Sequence, residues 1–180
     1  MDVDAATKRD RDGVSIVPTR SDSTVVSDAT GFQGGFDSIV TRLGELYQFL
    51  SATKNRIDTL CEEARSKSED FSREHEFFSK VEKARRRDRW AAVKFERLGD
   101  AFDTVTGYAA IVREQTSEIR TAADSGDTAH AQQLWTDLLR NTEDYREYAL
   151  GVLWETEVLK TKFVQSEAFV TQVLDLFLRS

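Results

Sequence analysis

Eight cations crowd into one stretch of this chain. Lys80, Lys83, Arg85, Arg86, Arg87, Arg89, Lys94 and Arg97 fall within residues 80–97 against three acids, so the stretch carries +5 in a chain of net charge −7. Over about five helical turns, such a cluster attracts acidic lipid headgroups at roughly 1 kcal/mol per residue near a membrane surface, and acidic protein faces similarly. The same charges could also do no more than solvate a helix and pair with Glu69, Asp70, Glu74 and Glu76. Residues 98–180 alone carry −7. Bulk nucleic-acid binding is not expected of such a chain, because it depends on neutralising phosphates with Lys and Arg.

The other reactive side chains make no comparable pattern. His75 and His130 are far apart, and neither sits in a spacing that holds a metal. Cys61 is the one cysteine of 180 residues. It allows no disulfide within the chain, suits a reducing compartment and reads as a small core residue. The carboxylates are numerous in a sequence that is 32% charged, and none is singled out as half of a catalytic pair. Gly31-Phe32-Gln33-Gly34-Gly35 is no phosphate loop, since no Gly-Lys-Ser/Thr follows. No enzymatic activity, cofactor or metal is therefore expected. Ser21, Ser23 and Ser27 lie among acids and are open to phosphorylation.

The elements that carry the cations follow from hydrophobic spacing. Phe36, Ile39, Leu43, Leu46, Leu50, Thr53, Ile57, Leu60 and Ala64 alternate at three and four residues, the heptad signature of helices that bury one stripe. A second register runs Leu98, Phe102, Val105, Ala109, Val112, Thr116, Ile119 and Ala123. A third runs Ala131, Leu134, Leu138, Asn141, Tyr145, Ala149, Val152, Leu159, Phe163, Ser166, Val170, Val173 and Phe177. Pro18 is the only proline, which leaves the rest of the chain without a residue that breaks helices. The spacing predicts an all-α fold, an elongated antiparallel bundle or coiled coil of about three long helices.

The first helix is expected to start at Phe36 or Asp37. Residues 1–35 form a tail, of which 1–31 are too poor in apolar residues to offset the entropy of ordering and read as disordered. The helical domain then spans 36–180. The first seam turns polar after Ala64, so a bend or turn is placed between Ser66 and Asp88, with one unbroken helix from 36 to 123 as the competing reading. Gly126 suits the left-handed position that ends a helix, and Asp127 or Thr128 can cap the next. The aromatic residues at helical spacing, Trp90, Trp135 and Trp154 among them, read as core.

Helices with an apolar stripe need partners. The seam residues Leu43, Leu46, Leu50, Ile57, Leu60, Leu138, Tyr145, Val152, Leu159 and Phe163 are therefore expected to mediate association, with a second copy or with a helical hetero-partner. The expected function is that of a non-enzymatic interaction or scaffold protein. Met1-Asp2-Val3-Asp4 lacks the apolar core of a secretory signal. No run approaches the roughly 20 apolar residues that cross a bilayer, so a cytoplasmic location, with or without peripheral membrane attachment, is expected.

Parts of the chain resemble the BAR domain, particularly that of sorting nexins. The resemblance rests on the Phe36…Leu50…Ile57-Asp58-Thr59-Leu60 rhythm and on Tyr108-Ala109-Ala110-Ile111-Val112-Arg113. It continues in Glu157-Val158-Leu159 and in Ser166-Glu167-Ala168-Phe169 with Val173-Leu174 and Phe177. It implies a dimer that presses a positive concave face onto curved anionic membrane of the endosomal type, with the 80–97 island supplying that face. The 121–128 turn, basic at the tip of many such modules, is acidic here.

Overall fold

The computed structural model of the protein describes residues 21–70 and 75–178. They form α1 (Asp22–Asp70), α2 (His75–Asp124) and α3 (Thr128–Leu178). At 1.5 Å per residue each helix is about 75 Å long. α1 and α2 run antiparallel, as Tyr47 stacked on both Phe95 and Phe102 and Arg113 bonded to Asp37 require. α2 and α3 are antiparallel too, with Tyr108 stacked on Tyr145 and Phe95 beside Phe163. α1 and α3 are consequently parallel, and the bundle is up-down-up. α1 and α2 are separate antiparallel helices, which overturns the unbroken helix from 36 to 123, and residues 71–74 between them lie outside the described residues.

α1 begins at Asp22, not at Phe36, so the boundary drawn at 35 moves towards the N-terminus. Residues 1–20 of the expected tail lie outside the described residues. The heptad starts earlier than the run of large hydrophobes: Val25, Ala29, Phe32 and Phe36 continue the alternation backwards, and Val25, Ala29 and Phe36 are buried. The Phe32 ring meets Trp135 of α3 edge-on at 6.0 Å and Phe36 at 5.5 Å. Gly31, Gly34 and Gly35 sit in this helix with open space where a Cβ would stand. Each weakens the helix by up to about 1 kcal/mol relative to alanine, so packing overrides local propensity here. The Ser21 carbonyl accepts the first helical bond, from Val25 N–H at 3.3 Å.

The turn at 124–128 forms as its residues dictate. Gly126 takes φ = 79°, a backbone that L side chains adopt at a cost of roughly 1–2 kcal/mol. Its N–H donates to Ala123 O at 2.9 Å, and Asp127 N–H donates to Ala122 O at 3.1 Å, the paired bonds of a Schellman ending. Asp127 then caps α3, accepting at Oδ1 from His130 N–H at 3.0 Å.

The three stripes close on one another along the bundle axis. Buried threonines within this core satisfy themselves: Thr116, Thr142 and Thr156 donate to the carbonyls of Val112, Leu138 and Val152 at 2.8, 2.6 and 2.6 Å. The third register needs correcting at Asn141, which is exposed, while Thr142 is buried. Together with Trp135 and Thr156, it gives α3 an unbroken alternation from Ala131 to Val173. A hydroxyl bonded to its own helix is cheap to bury, whereas an amide at Asn141 would need partners the core lacks. Cys61 is buried beside Ile57 and Val170.

Charged groups fasten α1 to both other helices. Arg42 donates to Glu157 of α3 from Nε at 3.0 Å and Nη2 at 2.8 Å, and Arg56 donates to Glu167 from Nε at 2.6 Å. Hydrogen bonding to Glu157 and to Glu167 raises the pKa of each guanidinium above the ordinary arginine range. Both guanidiniums are therefore charged throughout the neutral range. Arg113 Nη2 reaches Asp37 Oδ1 at 2.9 Å and joins α1 to α2.

Candidate functional site

The expected association seam is spent inside the chain. Leu43, Leu46, Leu50, Ile57, Leu138, Val152, Leu159 and Phe163 are buried, and Leu60 and Tyr145 half-buried, against this protein's own helices. A surface for another molecule has to be sought on the outside of the bundle.

The basic island falls on α2. Lys83, Arg86, Lys94 and Arg97 are exposed, and Lys83 Nζ stands 5.5 Å from the ring centroid of Phe169 on α3. The side chains of Lys80, Arg85, Arg87, Arg89 and Trp90 lie outside the described residues. The end of the island is joined by a cation from elsewhere in the chain: Lys94 and Arg97 share a groove of about 530 Å³ with Lys162 of α3. Leu98 and Leu159 form its floor, and Trp154 and Val158 stand along its α3 side.

Trp154 corrects the reading of the aromatics as core. Trp135 is buried, but Trp154 is 72% exposed, with Leu150 and Val158 exposed one turn before and after it. The heptad explains the position. With Val152, Thr156 and Leu159 turned inward, residue 154 occupies the outermost row of the helix. An indole in that row is available as an anchor, since it buries a large area without many rotatable bonds. Placing Thr142 and Thr156 in the seam would have revealed Trp154 from sequence; Lys162 joins the groove only through the fold.

The α2/α3 groove also differs from the other two in how it is held. Ion pairs cross from α1 to α3 and from α1 to α2. Among the described residues none crosses from α2 to α3, and Lys94, Arg97 and Lys162 take no part in an ion pair. Further along, the same groove changes sign, where Glu114 and Glu118 line it with His130. It therefore has an end of net positive charge, Lys94, Arg97 and Lys162 against Glu155, and an acidic end, with the stacked Tyr108 and Tyr145 between them.

Among the described residues, no group of His, Cys, Asp and Glu is placed to share a metal ion, and no helix is long and apolar enough to cross a membrane. Comparison with protein-family models, with curated proteins and with solved structures finds no match.

Proposed function

We propose that this chain is a non-enzymatic helical interaction protein that works by association, and that it docks through the α2/α3 face. The observation that carries the reading is Trp154, which stands exposed beside Val158 in a groove where Lys94, Arg97 and Lys162 outnumber the one acid, Glu155. An exposed aromatic with an apolar neighbour and a charged rim is how helical surfaces are anchored to partners. The self-sufficient core supports the reading, because the bundle's apolar stripes are already covered by its own helices.

The test is a photo-crosslinking residue introduced at Trp154 and, as a control, at exposed Thr59 on α1. Adducts of defined mass from position 154 and none from 59 are the expected result. Absence of adducts from 154, or the same adducts from both, would sink the reading.

A second reading is a BAR-like dimer on curved anionic membrane. It is favoured by Lys83, Arg86, Lys94 and Arg97 being exposed along one helix together with Trp154. It requires binding to anionic liposomes that weakens with salt and with charge reversal at Arg85, Arg86 and Arg87.

A further inference from the structure

The positive end of the α2/α3 face divides its chemistry between two walls. Phe95 beside Phe163 and Lys83 over Phe169 set the levels at which α2 and α3 pass. On the α2 wall Lys83, Arg86, Lys94 and Arg97 are exposed. Successive gaps of three, eight and three residues return to nearly the same side of a helix, so the four cations form one line about 21 Å long. The α3 wall is mainly apolar at these levels. Trp154 is 72% and Val158 44% exposed, and half-buried Phe169 lies about 22 Å from Trp154 along the axis. Leu98 and Leu159 close the floor between the walls, and Glu155 is the one acid among the lining residues.

Resting on the proposal that the α2/α3 face is a docking surface, we infer that its partner is an acidic amphipathic helix of another protein. Its apolar stripe lies on Trp154 and Val158, and its acids lie on Lys83, Arg86, Lys94 and Arg97. A groove between two helices accepts a third as a rod, with residues three and four apart directed at its walls. The length of about 22 Å corresponds to about fifteen helical residues. Because the cations line α2 and the aromatics line α3, the partner's acids run along one edge of its stripe. Glu155, at the Trp154 end, repels an acid at that level and so discriminates among registers.

The distribution of acids favours a segment of this size over a flat anionic surface. Glu114, Glu118, Asp144 and Glu147 stand exposed further along the same face. A membrane pressed on the whole face would meet them as well as the cations. Glu114 is about 25 Å beyond Arg97 along α2, so a helix of about fifteen residues ends before reaching it.

The experiment titrates the full chain into labelled synthetic helices of about fifteen residues and reads fluorescence anisotropy. One carries a leucine stripe with glutamates along one edge, a second has lysines in place of the glutamates, and a third scrambles the first. The acidic helix is expected to bind with Kd below about 100 μM and the scrambled one at least about tenfold more weakly. Trp154→Ala, and Lys94→Glu combined with Arg97→Glu, should each weaken the acidic helix about tenfold or more. The charge-reversed variant should in turn bind the lysine helix about tenfold more tightly than the parent does. Circular dichroism checks that each variant keeps its helix content. Failure of the acidic helix to bind, binding equal to the scrambled peptide, or variants that behave like the parent would overturn the inference. Vesicles of anionic lipid that bind a parent chain deaf to the acidic helix would give the face to a membrane. Adducts from position 154 whose crosslinked segment is a second copy, or lacks an acidic amphipathic stripe, defeat this partner and leave the docking reading standing. No adducts at all defeats both.

Discussion

Arg42 of α1 and Glu157 of α3 are joined by two hydrogen bonds, Nε at 3.0 Å and Nη2 at 2.8 Å, both to the same carboxylate oxygen. Glu157 is the one acid or base on the outer rows of α3 between Leu150 and Gln172, and it is drawn sideways onto α1. The result is an outer α3 surface on which Leu150, Trp154, Val158 and Val164 stand exposed, with Glu157 engaged by α1 and with Glu155 and Lys162 at its α2 edge.

That pairing should show itself as coupling between the two residues. Arg42→Ala and Glu157→Ala are each expected to lower the melting temperature slightly, and the double variant by less than their sum. The coupling should shrink as salt is raised, since both side chains are solvent-accessible. Thermal denaturation of the four proteins at low and high salt measures it, and additive effects at both would refute it.

Core and surface positions of the seam should separate sharply. Leu50→Ala removes a fully buried side chain and is expected to cost about 2–5 kcal/mol. Asn141→Ala, on the exposed side of α3, should stay within about 0.5 kcal/mol of the parent. A charge at Leu46 or Leu159 should unfold the bundle outright and not merely release a partner, because those side chains are inside this chain. Urea denaturation followed by circular dichroism decides each case.

Two glycines should respond with opposite sign. Gly126→Ala forces a Cβ into the left-handed turn and is expected to lose about 1 kcal/mol. Gly34→Ala, in α1 with nothing near its Cβ position, should gain about 0.5–1 kcal/mol. A loss at Gly34 would contradict the helix beginning at Asp22.

Trp154 should be reached by a solvent quencher from which Trp135 is shielded. Iodide quenching of the native protein is expected to fall in Trp154→Phe, and the helix content should be unchanged, since the indole is 72% exposed. Equal quenching in parent and variant would mean that the indole is covered.

Much of the architecture is legible in the order of residues. The heptads of α1 and α2 name the buried positions almost one for one, because a helix that hides one stripe leaves a three-four spacing whatever its partner. The turn at Gly126 is equally local, as one residue meets the only backbone that ends α2 there. The start of α1 was hidden for a physical reason. Ala29 and Val25 are small, three glycines follow, and the apolar residues that share their core, Trp135 and Ile119 among them, come from α3 and α2. Asn141 and Thr142 are hard to tell apart in the sequence because both are polar, and their difference is whether the side chain can satisfy itself within its own helix.

What the sequence by itself determined is therefore the fold class, most of the stripe that α1 and α2 bury and the sharp turn between α2 and α3. Each follows from interactions within a few residues along the chain. The tertiary structure alone decided that these stripes satisfy one another, leaving Trp154 outside, and that Lys162 joins Lys94 and Arg97 in one groove. Residues of α2 and α3 that lie far apart in sequence become neighbours only when antiparallel packing sets their levels, and no local spacing encodes that register.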